Sequence, residues 1–436
     1  MNLNDPTLLR TDSYVNGAWT AAPGDRRFAV TNPATGETVA EVADLGAAET
    51  TAAIDAAVPA QKAWAARTAK DRAMVMRKWY ELIMANAEDL AVILTTEMGK
   101  PITEARGEIA YGASFIDWFA EEARRICGDV MESPIPDKRF LTFKQPVGVF
   151  GAITPWNFPI AMITRKVAPG IAAGCACVLK PAEQTPLSAL ALAELAKRAG
   201  IPAGVINIVT GMDGPAIGKT LCNDDRIRKI TFTGSTATGK KIMEGAAGDL
   251  KRITLELGGN DASIVLPDAD VEKVAEQLFW SSFSNAGQVC IAAKRIYIHE
   301  DIYDDLSKAI AEYAKTVVVG DGSQQGTGVG PIQNKKQYER VLELIQDAKD
   351  NGYKFLTGGD KDPSGTGYYV PITILDNPPE DARIVAEEQF GPVMPLLKFD
   401  TIDEVIERAN NSEYGLAGAV WTKDTDKGVE IAEQLE

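Results

Sequence analysis

The chain has 436 residues, 45% of them hydrophobic and 24% charged, and a formal net charge of −16. This is the composition of a globular protein that buries a large core in about two or three domains, and its negative field excludes general binding to phosphate backbones. No apolar run approaches the ~20 residues of a membrane span, so neither nucleic acid nor a membrane is an expected partner.

Met1 to Arg10 carries no basic segment followed by an apolar one, so no secretory signal is expected. From about Glu49 to Arg125 the sequence is helical. Lys70–Leu94 has apolar residues at three- and four-residue spacing, and Glu104–Arg125 less regularly. Gly128–Lys144 changes to proline-punctuated, strand-like text with Phe140-Leu-Thr-Phe143, which predicts a hairpin. From Gly148 to about Gly258, strands and helices alternate. Val147–Ile153 and Cys175–Leu179 are predicted buried strands. Thr185 is placed to cap a helix with Pro186 at its first position, and Gly200 ends that helix. Val205–Val209 and Lys229–Thr233 continue the pattern, each followed by a helix. Such alternation predicts a mostly parallel sheet covered on both faces, with ligands beyond the carboxyl ends of its strands. Residues 260–436 hold further α/β text and predict a second domain.

The residue inventory narrows the chemistry. There is one histidine, His299, placed on a strand and expected to be exposed, so histidine-based triads are poorly supplied. The five cysteines, an odd number without framework spacing, fit the reduced thiols of a cytosol. Cys175-Ala-Cys177 lacks two further ligands and is more simply explained as core, so no metal is expected. Any base must therefore be a carboxylate, lysine or tyrosine.

Gly234-Ser-Thr-Ala-Thr-Gly239 follows a strand and opens a helix, as a phosphate cradle does. Lys241 stands where a nucleotide triphosphatase places Ser or Thr, so magnesium-dependent phosphotransfer is the weaker reading. Lys180-Pro-Ala-Glu183, just past a strand, offers a donor and an acceptor for ribose hydroxyls, or else a solvated pair. Three more stretches carry chemistry-bearing groups in constrained loops. They are Thr154-Pro-Trp-Asn-Phe-Pro159, Leu255-Glu-Leu-Gly-Gly259 and Phe283-Ser-Asn-Ala-Gly-Gln-Val-Cys290. Taken singly, each has a plain structural counterpart: a turn amide, a strand-end glutamate, a buried free cysteine.

In this order, with Phe232-Thr-Gly-Ser235 and Glu388-Gln-Phe-Gly-Pro392, these motifs resemble the aldehyde dehydrogenase superfamily over essentially the whole chain. The resemblance implies two Rossmann-like parallel-sheet domains, for cofactor (1–123 and 147–258) and catalysis (259–436). A β-hairpin at 124–146 would serve oligomerisation, in a homodimer or homotetramer. It implies that Cys290 attacks an aldehyde, that Asn157 and the Cys290 N–H stabilise the oxyanion, and that Glu256 activates the hydrolytic water. Thr154, Pro155, Trp156, Lys180, Glu183, Gly234, Ser235, Leu257, Glu388 and Phe390 would bind the cofactor. Glu183 accepts from a ribose 2′-OH and repels a 2′-phosphate, so NAD is expected, with NADP as the alternative.

Met162-Ile-Thr-Arg-Lys166 is similar to the bacterial succinate-semialdehyde dehydrogenase branch, in which the arginine, here Arg165, meets a substrate carboxylate. Ser284 stands where many relatives carry a second such arginine. Ala292 replaces the second cysteine of some relatives, and the segment to Arg295 is similar to NAD-linked oxidisers of other short-chain aldehydes. Family members run several tens of residues beyond the position of Glu436, in a part that closes the pocket and pairs with a partner subunit. The resemblance thus leaves a second reading, a dinucleotide-binding member with little turnover.

Overall fold

A computed structural model describes residues 1–360 and 366–436. Contacts divide the chain into two compact units. One comprises Met1–Thr31, Thr38–Glu97 and Ala105–Glu256; the other comprises Asn32–Glu37, Met98–Glu104 and Leu257–Glu436.

The first unit is built on a seven-stranded sheet. Its five parallel strands lie in the order Arg252–Glu256, Ile227–Thr233, Val149–Ile153, Ala176–Lys180, Ile206–Ile208. An antiparallel pair, Ser13–Val15 and Ala18–Thr20, extends the last edge. The chain starts the parallel part at Val149–Ile153, adds strands on one side, and then crosses to Ile227–Thr233 on the other. The switch point of an open α/β sheet, where ligands collect, thus lies between these two strands. Strand Ala176–Lys180 is buried throughout, as expected for a parallel strand covered on both faces. Cys175 and Cys177 are core residues.

Predicted elements needed adjustment where side chains compete with local signals. The helical stretch at 70–94 is two helices, Ala69–Ala85 and Ala87–Met98. Asn86 leaves helical geometry (φ −110°, ψ 20°) and donates its amide to the Leu82 carbonyl at 2.7 Å. Such side-chain competition with the ladder is why asparagine ends helices. Helix Pro186–Ala199 starts and stops as predicted, with Gly200 left-handed at φ 89°. Its cap is not Thr185, whose side chain makes no capping bond. Glu97, fully buried, instead accepts from the Leu187 and Ser188 N–H groups, both at 2.8 Å. Glu108 does the same for helix Pro159–Ala172, accepting from Ile160 and Ala161 at 2.8 and 3.2 Å. Helix N-termini leave N–H groups without intrahelical partners, and both ends here are satisfied by distant carboxylates. The predicted hairpin pairs Val130–Glu132 with Arg139–Leu141 and exposes Val130, Met131, Phe140, Leu141 and Phe143.

The second unit contains a six-stranded sheet ordered Lys354–Thr357, Thr373–Asp376, Val393–Phe399, Ala293–His299, Asp261–Val265, Gly418–Trp421, with only the first strand antiparallel. Apolar clusters lie on this sheet, one including Leu344, Leu375, Leu397 and Val405, the other Leu278, Phe279, Leu306 and Ile310. His299 ends its strand, and its side chain is 15% exposed rather than open to solvent. Its ring lies 5.3 Å from that of Phe399 and its Nδ1 accepts from the Asp301 N–H, so it caps helix Glu300–Ala314. Two excursions, 32–37 and 98–104, belong to the second unit although the sequence around them lies in the first. They join the second unit through backbone bonds from Tyr368 to Pro33 and from Ile102 to Gly322.

Candidate active site

In the first unit, Thr154 and Gly234 directly follow strands Val149–Ile153 and Ile227–Thr233, at the switch point. The Thr154 and Thr233 hydroxyls are buried without hydrogen-bond partners among the described residues, as fits polar groups facing a ligand site. Pro155 and Trp156 are half-buried and Asn157 is 4% exposed. Asn157 is followed by Pro159 at the start of its helix, a residue preorganised for that position. The Gly234 N–H donates to the Glu256 carbonyl at 3.1 Å, and a Cβ on Gly234 would lie 2.6 Å from the Phe232 ring. Ser235 caps helix Thr236–Ala246 by accepting from the Thr238 N–H. A glycine turn opening a helix is suited to a pyrophosphate.

Lys180 is 6% exposed, and its Nζ lies 2.5 Å from Glu183 Oε2. The pair is therefore not simply solvated surface. Burial raises the Glu183 pKa, but the charge and hydrogen bond of Lys180 outweigh it and hold the carboxyl below its ordinary value. An ionised acceptor beside an ammonium donor is what a ribose diol requires. These groups fit an adenine dinucleotide.

Glu256 ends strand Arg252–Glu256 and is half-buried. Lys166, on the helix that Pro159 opens, carries a signal that the sequence reading did not use. Burial and the charge of Arg165 lower its pKa to about 8, with Glu256 and Lys229 also acting on it. Lysine next to arginine on a mostly buried helix was the available clue. The Arg165 guanidinium sits 5.6 Å over the Phe115 ring and has no carboxylate partner among the described residues. The stacking leaves its planar donors available to an anion.

In the second unit, three loops enter adjacent parallel strands at their amino ends: Leu257–Asn260, Ser284–Ala292 and Glu388–Pro392. The loops interlock through glycine. A Cβ on Gly259 would lie 2.8 Å from the Cys290 carbonyl oxygen, and one on Gly287 would lie 2.6 Å from the Gly391 carbonyl carbon. Asn285, Ala286 and Gly287 are all left-handed, with φ of 53°, 54° and 72°. Such strain persists only where surroundings overdetermine it. Here Gln288, fully buried, donates to the Asn285 carbonyl at 2.8 Å and accepts from the Gln333 N–H at 2.9 Å. Glu104 accepts from the Asn285 N–H.

Cys290 is a free, half-buried thiol. Burial raises its pKa, while the Lys294 charge and the Ile291 N–H pull the other way. Glu388 Oε1 accepts from the Gly259 N–H at 3.2 Å and lies 3.4 Å from Lys294 Nζ. Burial raises its pKa as well, with Lys294 opposing. Phe390 is left-handed at φ 48°, and its carbonyl accepts from Gln337. Leu257 is half-buried. The Ser284 hydroxyl donates to the Trp280 carbonyl at 2.6 Å, so its single proton is committed within the protein.

Residues 19–436 match the family described as "Aldehyde dehydrogenase family". The chain belongs to the aldehyde dehydrogenase family. It is similar to a glutarate-semialdehyde dehydrogenase of Pseudomonas putida, at 48% identity over all of this chain and 90% of that protein. It is also 47% identical to an NADP(+) succinate-semialdehyde dehydrogenase of Escherichia coli, again over 100% and 90% of the two chains. A 3-sulfolactaldehyde dehydrogenase of Pseudomonas putida is 45% identical over 100% of this chain and 89% of that one. Among solved structures, an E. coli NADP-dependent enzyme superposes with a TM-score of 0.98 at 47% identity, covering 100% of this chain and 90% of that one. An NAD+ complex of a Bacillus cereus aldehyde dehydrogenase gives 0.96 at 39% identity, with 100% and 90% coverage. This aldehyde dehydrogenase is thus an oxidoreductase that converts an aldehyde to its acid with NAD or NADP. Among the described residues, no helix is long and apolar enough to cross a membrane.

Proposed function

We propose that this aldehyde dehydrogenase oxidises a short semialdehyde bearing an anionic terminus, succinate semialdehyde first, and prefers NAD. The observation that carries the substrate class is Arg165, a half-buried guanidinium stacked on Phe115 without a carboxylate partner among the described residues. The three relatives above are all named for aldehydes with an acidic group. Arginine binds a carboxylate through two parallel bonds, which selects such substrates over neutral ones.

In the proposed reaction, Cys290 Sγ adds to the aldehyde carbon, and the carbonyl oxygen takes the negative charge. The Asn157 amide and the Cys290 N–H donate to that oxygen, usually a large electrostatic contribution. When bound, the dinucleotide supplies a hydride acceptor. Loss of hydride from the thiohemiacetal carbon leaves a thioester on Cys290. Glu256 then takes a proton from water as the water oxygen attacks, and the acid departs with Cys290 restored. Thr154, Pro155, Trp156, Leu257, Lys180, Glu183, Gly234 and Ser235 hold the cofactor, and Glu388 and Phe390 hold its nicotinamide end. The first unit is the cofactor domain and the second the catalytic domain. The apolar side chains exposed on the hairpin support a homo-oligomer, and the five free cysteines fit a cytosolic setting.

The test is reduction of nicotinamide with succinate semialdehyde and with butanal, which lacks the carboxylate. The expected kcat/KM advantage of the semialdehyde is at least about 100-fold, in line with a bidentate charged contact. Arg165→Ala is expected to remove most of it while leaving butanal turnover unchanged, and Cys290→Ala to stop both reactions. Equal kcat/KM for the two substrates in the wild type refutes the substrate class.

A further inference from the structure

Lys294 is the second residue of Ala293–His299, an interior strand of the second sheet. Its side chain is 3% exposed. A buried ammonium costs several kcal/mol unless it is paired and hydrogen-bonded, so its partners define its role. Nζ donates to the Cys290 carbonyl at 2.7 Å and lies 3.4 Å from Glu388 Oε1. Asp261, on the neighbouring strand, adds a second negative charge. One Asp261 oxygen accepts from the Ala417 N–H, and the other is buried without a hydrogen-bond partner among the described residues.

The adjacent cation, Arg295, is engaged elsewhere. It donates to the carbonyls of Asn260, Arg408 and Ala409 and to the Tyr297 hydroxyl. It also acts on Asp261. The charged and titratable groups facing Lys294 are therefore Cys290 on the turn, Glu388 on its loop and Asp261 on the sheet. Those facing the thiol are Lys294, Glu388 and Asp261. The lysine is the one cation in this set.

Its two contacts reach separate loops. The bond to the Cys290 carbonyl fixes the peptide plane that follows the thiol. The contact with Glu388 acts on a carboxylate already held by the Gly259 N–H, and a Cβ on Gly258 would come within 3.2 Å of its carboxyl carbon. Side-chain space on that side is closed, so the carboxylate has little freedom to turn.

We propose that Lys294 is a positioning residue that acts on both halves of the reaction: its ammonium favours the Cys290 thiolate and holds Glu388 ionised and oriented to accept from the cofactor's hydroxyls. This rests on the reading of Cys290 as nucleophile and Glu388 as a cofactor ligand. Neutral side chains at 294 remove the cation that faces both the thiol and Glu388 while the negative charges of Glu388 and Asp261 stay, which disfavours the thiolate and Glu388 ionisation together.

The experiment compares wild type, Lys294→Met and Lys294→Arg as the full chain. Alkylation of Cys290 by iodoacetamide is followed from pH 6 to 10 by peptide mass spectrometry, with exposed Cys127 as the internal reference. The expected result for Lys294→Met is a rise of about one pH unit in the Cys290 midpoint, which is about tenfold slower alkylation at pH 7. Cys127 should not change, and Lys294→Arg should come within about twofold of wild type because it keeps the charge. In steady state, the KM for NAD should rise about tenfold in Lys294→Met, the scale of losing a charge-assisted contact, with the aldehyde KM within about twofold. If Lys294→Met does not fold, Lys294→Gln replaces it, keeping a donor for the carbonyl but no charge. An unmoved Cys290 midpoint or an unmoved KM for NAD overturns the proposal. Alkylation needs no turnover, so this failure is distinct from failure of the nucleophile assignment, which active Cys290→Ala protein would reveal.

Discussion

Gly287→Ala tests whether the glycine at the nucleophile loop is required by space as well as by conformation. Gly287 has φ +72°, and an added Cβ would lie 2.6 Å from the Gly391 carbonyl carbon, closer still to its oxygen, and 3.2 Å from the Ser282 oxygen. The left-handed conformation alone costs an alanine about 1 kcal/mol. Relieving the clash requires a shift of about 1 Å in one of two loops, and such overpacking costs a further 1–3 kcal/mol or so. The loops that must give carry Cys290 on one side and Glu388 and Phe390 on the other. Gly326 supplies the control, because its φ is +88° and an added Cβ there meets nothing within 4 Å among the described residues. Gly326→Ala should therefore cost about 1 kcal/mol, from conformation alone. Gly287→Ala should cost about 2–4 kcal/mol and also reduce turnover. Urea unfolding followed by tryptophan fluorescence, with the slope checked for constancy, gives the two midpoints. Equal midpoints for the two variants, with full activity in Gly287→Ala, would refute the steric argument.

Two further outcomes follow from titration and charge. Burial pushes the Glu97 pKa up to about 8, against the pull of the Ser188 and Leu187 donors. The folded state then holds a proton that the unfolded chain releases near its ordinary value of 4.5. The contribution is thus fully present below pH 4.5 and is lost as pH rises towards 8, by at most about 1.4 kcal/mol per pH unit. Glu97→Gln should flatten that part of the stability–pH curve, read as Tm at several pH values between 5 and 8. An unchanged slope would remove Glu97 as the cause. Glu183→Ser should raise the ratio of kcat/KM for NADP over NAD at least about tenfold, because the ionised carboxylate that repels a 2′-phosphate is gone. A ratio unchanged from wild type would place cofactor choice elsewhere.

The alternation of strands and helices, the ends set by Pro186 and Gly200, and the order of the motifs were legible in the sequence. Each is carried by covalent neighbours, through fixed dihedrals or the period of apolar residues. Tertiary structure alone decided how polar groups are paired. Thr185 stands at a helix start but does not cap it, because Glu97, far away in sequence, fills that role. His299 has the alternation of an exposed strand end, yet packs on Phe399. Lys294 and Arg295 are consecutive basic residues, indistinguishable in sequence. One faces Cys290 and Glu388, while the other is consumed by backbone carbonyls. Successive residues on a strand point to opposite faces, so neighbours in sequence meet different surroundings. A buried charge takes its role from whichever partner folding brings within about 3 Å, and that partner is set by the packing of the whole unit.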